Sequence, residues 1–295
     1  MCLIPDVFHL TDKKKILVTG ANGQLGMEFR EIAFGFPAFE FLFVSRDELA
    51  IDNAEALQLF FTNNKIDYCI NCAAYTAVDK AESEKETAMA INAAAVGALA
   101  DYCKQQNAVF IHFSTDYVFN GNASAPYLPG DKTDPVNFYG QTKLGGEKLA
   151  LQNNPQSIVI RTSWVYSSFG KNFVKTMLRL MAEKESIGVV SDQVGCPTYA
   201  ADLALAVMEI IHSGKREAGI YHYCNEGIIS WFDFATAIRE IADSSCIVNP
   251  IQTKEYPTPA KRPAYSALDT QKITSVYNLA IPQWRKSLER CIKLM

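Results

Sequence analysis

The sequence has no apolar run of membrane-spanning length and no concentration of positive charge. A helix that crosses a bilayer needs about 20 consecutive apolar residues, and a nucleic-acid-binding surface needs clustered lysine and arginine. Of the 295 residues, 48% are hydrophobic and 20% are charged, and the net charge is −4. This composition is typical of a soluble globular protein and predicts neither a membrane nor a nucleic acid as a partner.

Signals for export, disulfide formation and metal binding are also missing. Residues 1–12 contain no lysine or arginine ahead of their apolar residues and no small-residue cleavage site, so they do not resemble a signal peptide. The eight cysteines are scattered, and the C-x-x-C of Cys69 and Cys72 has no second cysteine pair or nearby histidine. We therefore predict a cytoplasmic protein with reduced thiols and no metal site. Residues 1–14 are expected to form an extension before the fold.

A glycine-rich turn follows the first predicted strand. Residues 15–19 are typical of a short buried strand, and a helix is predicted to run to about Ala33. The G-x-x-G-x-x-G between them allows a tight turn, and the helix N-terminus offers free N–H groups to a pyrophosphate. A flexible surface turn is the alternative. The predicted dinucleotide contacts in this turn are Gly20, Asn22, Gly23, Gln24, Leu25 and Gly26.

The second predicted strand, at about 39–44, should end near the adenosine ribose. An NAD-dependent enzyme usually has an acidic residue there, about 20 residues beyond the glycines. Here Ser45 and Arg46 follow the strand, and a guanidinium suits a 2′-phosphate because it binds phosphate in a bidentate fork. Two acidic residues come next, and Arg46 is equally consistent with an exposed loop charge. We predict NADPH, with NADH as the alternative, and expect Asp52 to reach the adenine.

The predicted strands and helices alternate up to residue 114. Such an order predicts an α/β fold with a parallel, doubly wound, Rossmann-like sheet, whose ligands bind at the carboxyl ends of the strands. Residues 15–166 are assigned to a dinucleotide-binding domain and 167–295 mainly to a smaller, interleaved substrate-binding lobe. The segment near 190–212 is a candidate to return to the first domain. The residues at two of the strand ends are Ala73, Ala74, Tyr75, Thr76, Thr115 and Asp116.

Tyr139 and Lys143 lie four residues apart at the start of a predicted helix that runs to about Leu151. Side chains at this spacing share one face of a helix, so the phenol and the ammonium can point into one site. A neighbouring cation lowers the pKa of a tyrosine from about 10, which would let the pair exchange a proton with a carbonyl or hydroxyl oxygen. Taken alone, the pattern is equally typical of a surface helix with a solvated charge.

Taken together, these motifs resemble the extended short-chain dehydrogenase/reductases, and among them the dTDP-4-dehydrorhamnose reductase family. The resemblance covers the chain from Lys15 to the C-terminal helix. It implies NADPH-dependent reduction of the C4 ketone of dTDP-4-dehydro-L-rhamnose to dTDP-L-rhamnose in nucleotide-sugar and polysaccharide biosynthesis. The segments that carry it are the glycine motif, 71–82, 114–121, 139–147, 161–166, 172–177, 192–193, 197–198 and 262–263.

The same resemblance implies roles for individual residues. Tyr139 would protonate O4 as hydride reaches C4, Lys143 would hold the nicotinamide ribose and lower the pKa of Tyr139, and Thr115 would hydrogen-bond the ketone oxygen. Asn71 would help to order a proton relay or would satisfy backbone groups at its strand end. The implied cofactor contacts include Ala73, Ala74, Tyr75, Tyr139 and Lys143. The implied substrate contacts are Thr76, Thr115, Asp116, Trp164, Asn172, Gln193 and Arg262.

The sequence also bears on four other functions. The related 4,6-dehydratases have Glu after the Thr-Asp pair, whereas this chain has Tyr117, and its 116–119 stretch does not resemble that of the epimerases. A reductase of another dTDP-4-keto-6-deoxy sugar would share the motifs. A non-catalytic regulatory subunit, like that of methionine adenosyltransferase, would keep the fold without turnover, although the intact Thr115, Tyr139 and Lys143 argue against it. A homodimer is an open expectation.

Overall fold

The computed structural model describes residues 13–295. Most of the predicted N-terminal extension therefore lies outside the described residues. In chain order, the first half comprises β1 (Lys14–Thr19), α1 (Gln24–Ala33), β2 (Phe39–Val44), α2 (Ala54–Asn63), β3 (Tyr68–Asn71), α3 (Lys85–Met89), α4 (Ala95–Gln105), β4 (Val109–Thr115), α5 (Phe138–Asn153) and β5 (Ile158–Thr162). The second half comprises β6 (Val165–Tyr166), α6 (Phe173–Glu183), β7 (Ser186–Val190), β8 (Val194–Gly195), β9 (Thr198–Tyr199), α7 (Ala200–His212), β10 (Gly219–His222), β11 (Ile229–Ser230), α8 (Trp231–Ile241), β12 (Ile247–Ile251), α9 (Gln271–Tyr277) and α10 (Trp284–Ile292).

Six strands form a parallel sheet in the order β10-β5-β4-β3-β1-β2. Its carboxyl ends are in register, so that Thr19 lies beside Asn71 and Thr115 beside Thr162. The chain changes direction between β1 and β3, and ligands of doubly wound sheets bind at such a point. The predicted α/β, Rossmann-like fold is confirmed.

The sheet is buried on both faces because its strands are almost continuously apolar. Ile16, Val18 and Ile70 face one core, which is completed by α1, α7 and α9. Leu17 and Cys69 face the opposite core, which is completed by α2, α4 and α5. Since side chains alternate along a strand, an apolar residue at every position requires a helix layer on each side.

A smaller lobe covers the carboxyl ends of the sheet. It contains the strand pairs β6–β9, β7–β12 and β8–β11, and a separate core formed largely by α6, α8 and α10. The chain returns to the main sheet with α7, β10 and α9, so the two units are interleaved in sequence. The domain limits at 15–166 and 167–295 stay a prediction.

Several local features differ from the sequence-based expectations. A π-helical turn, Ala90–Ala94, joins α3 to α4, a feature that no pattern in the sequence marks. The cap of α2 is Asn53, whose side chain accepts from the Ala56 amide. The short strands of the smaller lobe and α9 were not predicted, because segments this short carry little periodic signal.

Candidate active site

A cavity of about 290 Å³ opens at the carboxyl ends of β1, β2 and β3. Its position at the point where the strand order reverses is the one where dinucleotides bind to sheets of this type. Eight of the predicted cofactor contacts line it. The lining residues are Gly20, Asn22, Gly23, Ser45, Arg46, Asp47, Leu49, Ile51, Asp52, Cys72, Ala73, Ala74 and Ile91.

Gly20 fixes the floor of this cavity through its backbone conformation. Its φ is +64°, in the left-handed region, and an added Cβ would lie 2.6 Å from the Ala73 nitrogen. Both observations require glycine here. A left-handed conformation costs other residues about 1–2 kcal/mol, and the Ala73 backbone leaves no space for a Cβ atom. The first strand end can therefore approach the third closely.

The N-terminus of α1 points its free amides toward the same cavity. Gly23 provides no side-chain cap, and the first turn of the helix contains no acidic residue. The uncapped N–H groups and the positive dipole end suit a pyrophosphate. Leu25 and Gly26 lie within α1 and do not line the cavity. Gln24 does not line it either, and its side-chain oxygen accepts from Asn172 at 2.9 Å.

The loop after β2 carries charges of both signs at the cavity edge. The Arg46 side chain is 73% exposed and lies 4.0 Å from Asp52, so its guanidinium remains accessible to a phosphate. Glu48 turns away from the cavity because its carboxylate accepts from the Ser45 amide at 2.7 Å. One of the two acidic residues that opposed the NADPH prediction is thus bound to the loop itself, whereas Asp47 lines the cavity.

The segment after β3 is only partly a cofactor surface. Tyr75 is held through its backbone by the Asn92 side chain, at 2.8 and 2.9 Å, and its hydroxyl donates to Glu84 at 2.7 Å. Thr76 is exposed and lies outside the lining of the cavities described here. Asn71 is buried, accepts from Thr19 at 2.7 Å and lies 3.1 Å from the His112 ring.

The three predicted catalytic residues converge beside these strand ends. Thr115 ends β4, while Tyr139 and Lys143 lie in the first two turns of α5. Asn137 caps α5 by accepting from the Gly140 amide at 2.8 Å. An added Cβ on Gly140 would lie 2.1 Å from the Tyr117 carbonyl. This close approach brings the start of α5 against the end of β4.

The electrostatics of this group differ from the expectation of a cation-activated tyrosine. Burial raises the pKa of Tyr139, the charge of Asp116 raises it further, and hydrogen bonding with Thr115 opposes part of the rise. Burial lowers the pKa of Lys143 to about 8, and its ammonium donates to the Phe113 carbonyl at 2.6 Å. The expected lowering of the tyrosine pKa by Lys143 is therefore wrong for this geometry. Tyr139 is held in its protonated form, which a proton donor requires.

A second cavity, of about 330 Å³, is lined mainly by the smaller lobe and by Tyr117 in the turn after β4. Gln193 and Arg262, two of the predicted substrate contacts, line it. Arg262 also makes a bidentate ion pair with Asp79, at 2.8 and 2.9 Å. The other lining residues are Tyr117, Phe173, Thr176, Met177, Leu180, Gly188, Val189, Val190, Trp231, Ile251, Tyr256 and Thr258.

Two predicted substrate residues stand behind this cavity rather than on its wall. Trp164 stacks on Trp231, with ring centroids 3.5 Å apart, and so supports a wall residue. Asn172 caps α6 by accepting from the Lys175 amide, and its own amide donates to Gln24 and to the Ser167 carbonyl. Its polar atoms are thus used in joining the smaller lobe to α1.

Sequence reasoning missed most of the apolar wall. Phe173 follows the helix cap Asn172, and Trp231 follows the helix cap Ser230. An aromatic residue directly after a strong cap is therefore the sequence feature that could have identified these two wall residues. Tyr256 lies in a proline-rich stretch without a regular element, where no pattern marks it. The partner of Arg262 could not be predicted because Asp79 is 183 residues away in sequence.

Neither a membrane-spanning helix nor a metal cluster was found in the part of the chain that the structure describes. Among residues 13–295, no helix is long and apolar enough to cross a bilayer. Within the same range, no group of three or more His, Cys, Asp or Glu side chains could hold a metal ion.

Comparison with known proteins gives one consistent family. A model described as the RmlD substrate binding domain matches residues 14–295. The dTDP-4-dehydrorhamnose reductase of Aggregatibacter actinomycetemcomitans is 39% identical over 285 residues, covering 93% of this chain and 97% of that protein. A Clostridium acetobutylicum dTDP-4-dehydrorhamnose reductase structure has a TM-score of 0.91 at 40% identity, covering 95% of this chain and 99% of that one. The Bacillus anthracis enzyme in complex with NADP has a TM-score of 0.92 at 36% identity, covering 96% and 100%.

Proposed function

The chain belongs to the dTDP-4-dehydrorhamnose reductase family, and from this membership we propose that it reduces dTDP-4-dehydro-L-rhamnose to dTDP-L-rhamnose with NADPH. The observation that carries the proposal is the convergence of Thr115, Tyr139 and Lys143 where β4 ends and α5 begins. One cavity has the features of a dinucleotide site and the other is large enough for part of a nucleotide sugar. The reaction serves nucleotide-sugar biosynthesis and, through it, polysaccharide assembly.

The residues of the first cavity fit NADPH. The tight turn at Gly20 and the uncapped α1 N-terminus would receive the pyrophosphate. Arg46 would bind the 2′-phosphate with Ser45 beside it, because its guanidinium is accessible at the cavity edge. Asp52 would face the adenine, and the small side chains Ala73 and Ala74 would let the cofactor pass close to the sheet.

The catalytic residues would act on a ketone placed beside the end of β4 and the start of α5. Bound NADPH would supply the hydride to C4. Tyr139 is the proton donor to O4, because its phenol is protonated at neutral pH and the alkoxide that develops on that oxygen is the stronger base. The Thr115 hydroxyl stabilises the same oxygen by donating a hydrogen bond. Lys143, buried and anchored on the Phe113 carbonyl, orients the cofactor ribose.

The second cavity would bind the dTDP group. Arg262 faces it with a guanidinium that Asp79 already fixes in a fork geometry, which suits a diphosphate. Gln193 donates to Thr253 at 3.0 Å and keeps an oxygen for the base. Trp164 and Asn172 act by supporting the wall, Asp116 is proposed to face the sugar, and Thr76 is retained as a peripheral contact.

The direct test follows NADPH oxidation with substrate generated in situ by the upstream dehydratase and epimerase. Rapid oxidation, together with a product of rhamnose configuration at C4, is expected. Reduction that yields the other C4 configuration would identify a reductase of a different dTDP-4-keto-6-deoxy sugar. Tight NADPH binding without oxidation of any such keto sugar would contradict the proposal and favour a regulatory protein.

Assembly and location remain part of the proposal. We infer a cytoplasmic enzyme, since its substrates are soluble nucleotide sugars, and a homodimer is retained as a prediction. Sedimentation equilibrium over a range of protein concentrations would decide between monomer and dimer.

A further inference from the structure

Asp116 is a buried carboxyl group in the centre of the active site. Its side chain is only 2% exposed, and it directly follows the catalytic Thr115 at the end of β4. One carboxyl oxygen, Oδ1, accepts from the Thr115 hydroxyl at 2.9 Å. The other, Oδ2, is buried without a hydrogen-bond partner among the described residues. A buried acceptor left open in this way is expensive unless a ligand or a proton satisfies it.

The bond between these two residues conflicts with the role of Thr115. A hydroxyl has a single hydrogen to donate, and in this arrangement it goes to Asp116 instead of the ketone oxygen. The Thr115 oxygen also accepts from the Tyr117 amide at 3.2 Å, which fixes where the oxygen lies. The Thr115 hydroxyl hydrogen can still rotate about the C–O bond, so its direction is the one variable. If the carboxyl group is protonated, it can donate to Thr115, and the threonine hydrogen can then turn to the substrate.

The surroundings of Asp116 favour a protonated carboxyl group over a range of pH that an enzyme encounters. Burial raises its pKa to about 6, although the nearby hydroxyl groups of Ser266 and Thr115 oppose part of that rise. The titratable side chains facing it are Tyr117 on its own turn, Tyr139 on α5, and Cys196 and Cys224 on the loops after β8 and β10. None of these four is a cation that would stabilise the carboxylate.

The charge of Asp116 also acts on the proton donor. An ionised Asp116 raises the pKa of Tyr139 further, because two negative charges in a buried site repel each other. Transfer of the phenolic proton to O4 is therefore harder with a carboxylate beside it. Loss of the charge and release of the threonine hydrogen favour reduction together.

We propose that Asp116 is a positioning residue that sets the direction of the Thr115 hydroxyl hydrogen, so that the protonated carboxyl group gives the reductive state of the site and ionisation suppresses it. This inference rests on the proposed ketone reduction. It places the proton on Oδ1, the oxygen that lies 2.9 Å from the Thr115 hydroxyl, and it leaves the open oxygen Oδ2 without the charge that makes its burial costly.

The first test compares pH profiles of kcat/KM, which report ionisations of the free enzyme, for wild type and Asp116→Asn. An amide has a donor and an acceptor like a protonated carboxyl group but does not titrate. Wild type is expected to lose about tenfold or more between pH 5.5 and pH 7.5, and Asp116→Asn less than about twofold. The decline caused by Lys143, at about pH 8, should remain in both. Asp134→Asn, which removes an exposed carboxylate of the following loop, should keep the wild-type profile.

If Asp116→Asn lowers kcat/KM by the same factor at every pH and keeps the wild-type decline, the role of Asp116 is merely structural and the proposal is overturned.

A second test does not depend on turnover. In protein with ¹³C-labelled aspartate carboxyl groups, the resonance absent from Asp116→Asn should titrate well above the ordinary value of 3.8. Thr115→Val should raise its midpoint further, because it removes a hydrogen bond that favours the charged form.

A midpoint near the ordinary value, or one that Thr115→Val leaves unchanged, would contradict the proposal. The titration also separates the two levels of inference. If the carboxyl group titrates as expected while no keto sugar is reduced, the coupling of Asp116 to Thr115 stands and the proposed reaction is wrong. If reduction occurs but the titration fails, only the positioning role of Asp116 is lost.

Discussion

At the scale of single residues, the site depends on how burial sets the protonation of each group. Tyr139 and Asp116 both hold protons more tightly than in water, whereas Lys143 holds its proton less tightly. All three shifts have desolvation as their largest cause, because removing water disfavours the charged form of any group. Burial therefore favours the neutral form of each of these three groups.

Replacing Tyr139 with Phe removes the phenolic proton and keeps the ring. We expect kcat to fall by about 10²- to 10⁴-fold, the range for loss of a general acid, with the Kd for NADPH changed less than about twofold. Steady-state kinetics and fluorescence titration with NADPH measure the two quantities. Tyr102→Phe, whose ring stacks on Phe61 away from the site, is the matched control. Wild-type turnover in Tyr139→Phe would remove this residue from the acid role.

Arg46 is expected to determine the preference for NADPH. A charged hydrogen bond contributes about 1.5–3 kcal/mol, so Arg46→Ala should lower kcat/KM with NADPH by about 10- to 100-fold. The value with NADH should change less than about threefold. Arg179→Ala, which removes an exposed arginine of α6, controls for the loss of surface charge. If wild type has the same kcat/KM with NADPH and with NADH, the predicted preference for NADPH is wrong.

At the scale of elements, two close backbone contacts determine where the site forms. The turn at Gly20 lies against the residues that follow β3, and the start of α5 lies against the 3₁₀ turn that follows β4. Each contact brings together segments that are far apart in sequence. The helices and strands therefore position the site through the points where their ends touch.

Gly20→Ala should push the turn at Gly20 away from the residues that follow β3. The added methyl group would meet the Ala73 backbone at 2.6 Å in a left-handed conformation, so the turn must move. A loss of about 1–3 kcal/mol in unfolding free energy is expected, with a weaker affinity for NADPH. Urea denaturation and cofactor titration measure the two effects. Gly130→Ala, which has no atom within 4 Å of the added Cβ, should change neither.

At the scale of the whole molecule, a buried ion pair ties the catalytic helix to the sheet. Glu147 of α5 and Arg161 of β5 are each 2% exposed, and their two hydrogen bonds measure 2.7 and 2.8 Å. Arg161 also donates to the Pro129 carbonyl and lies over the Phe119 ring. The pair thus connects α5, the sheet and the long loop between β4 and α5.

Glu147→Gln should destabilise the protein because it leaves the buried guanidinium without its counter-charge. The expected loss is about 3–5 kcal/mol in the free energy of unfolding, measured by chemical denaturation. Glu183→Gln breaks the exposed pair with Arg179 on α6 and should change stability by less than about 0.5 kcal/mol. Similar losses in both variants would show that burial does not govern the contribution of these pairs.

Local pattern was sufficient to predict most of the main sheet and its ligand edge. The strands β1 to β5 are short apolar runs, and the glycine turn stands between a strand and a helix, so each could be recognised from neighbouring residues alone. Tyr139 and Lys143 were predictable for the same reason, since their spacing of four places them on one face of α5.

Only the tertiary structure decided the features that depend on distant segments. The Asp79–Arg262 pair, the Trp164–Trp231 stack and the strand pairs of the smaller lobe join residues whose sequences carry no mark of one another. The pKa values were likewise undetermined by sequence, because desolvation and the charge of Asp116 act through space. The sequence by itself determined the fold class and the residue types at the site, whereas packing decided which of them meet and which hold a proton.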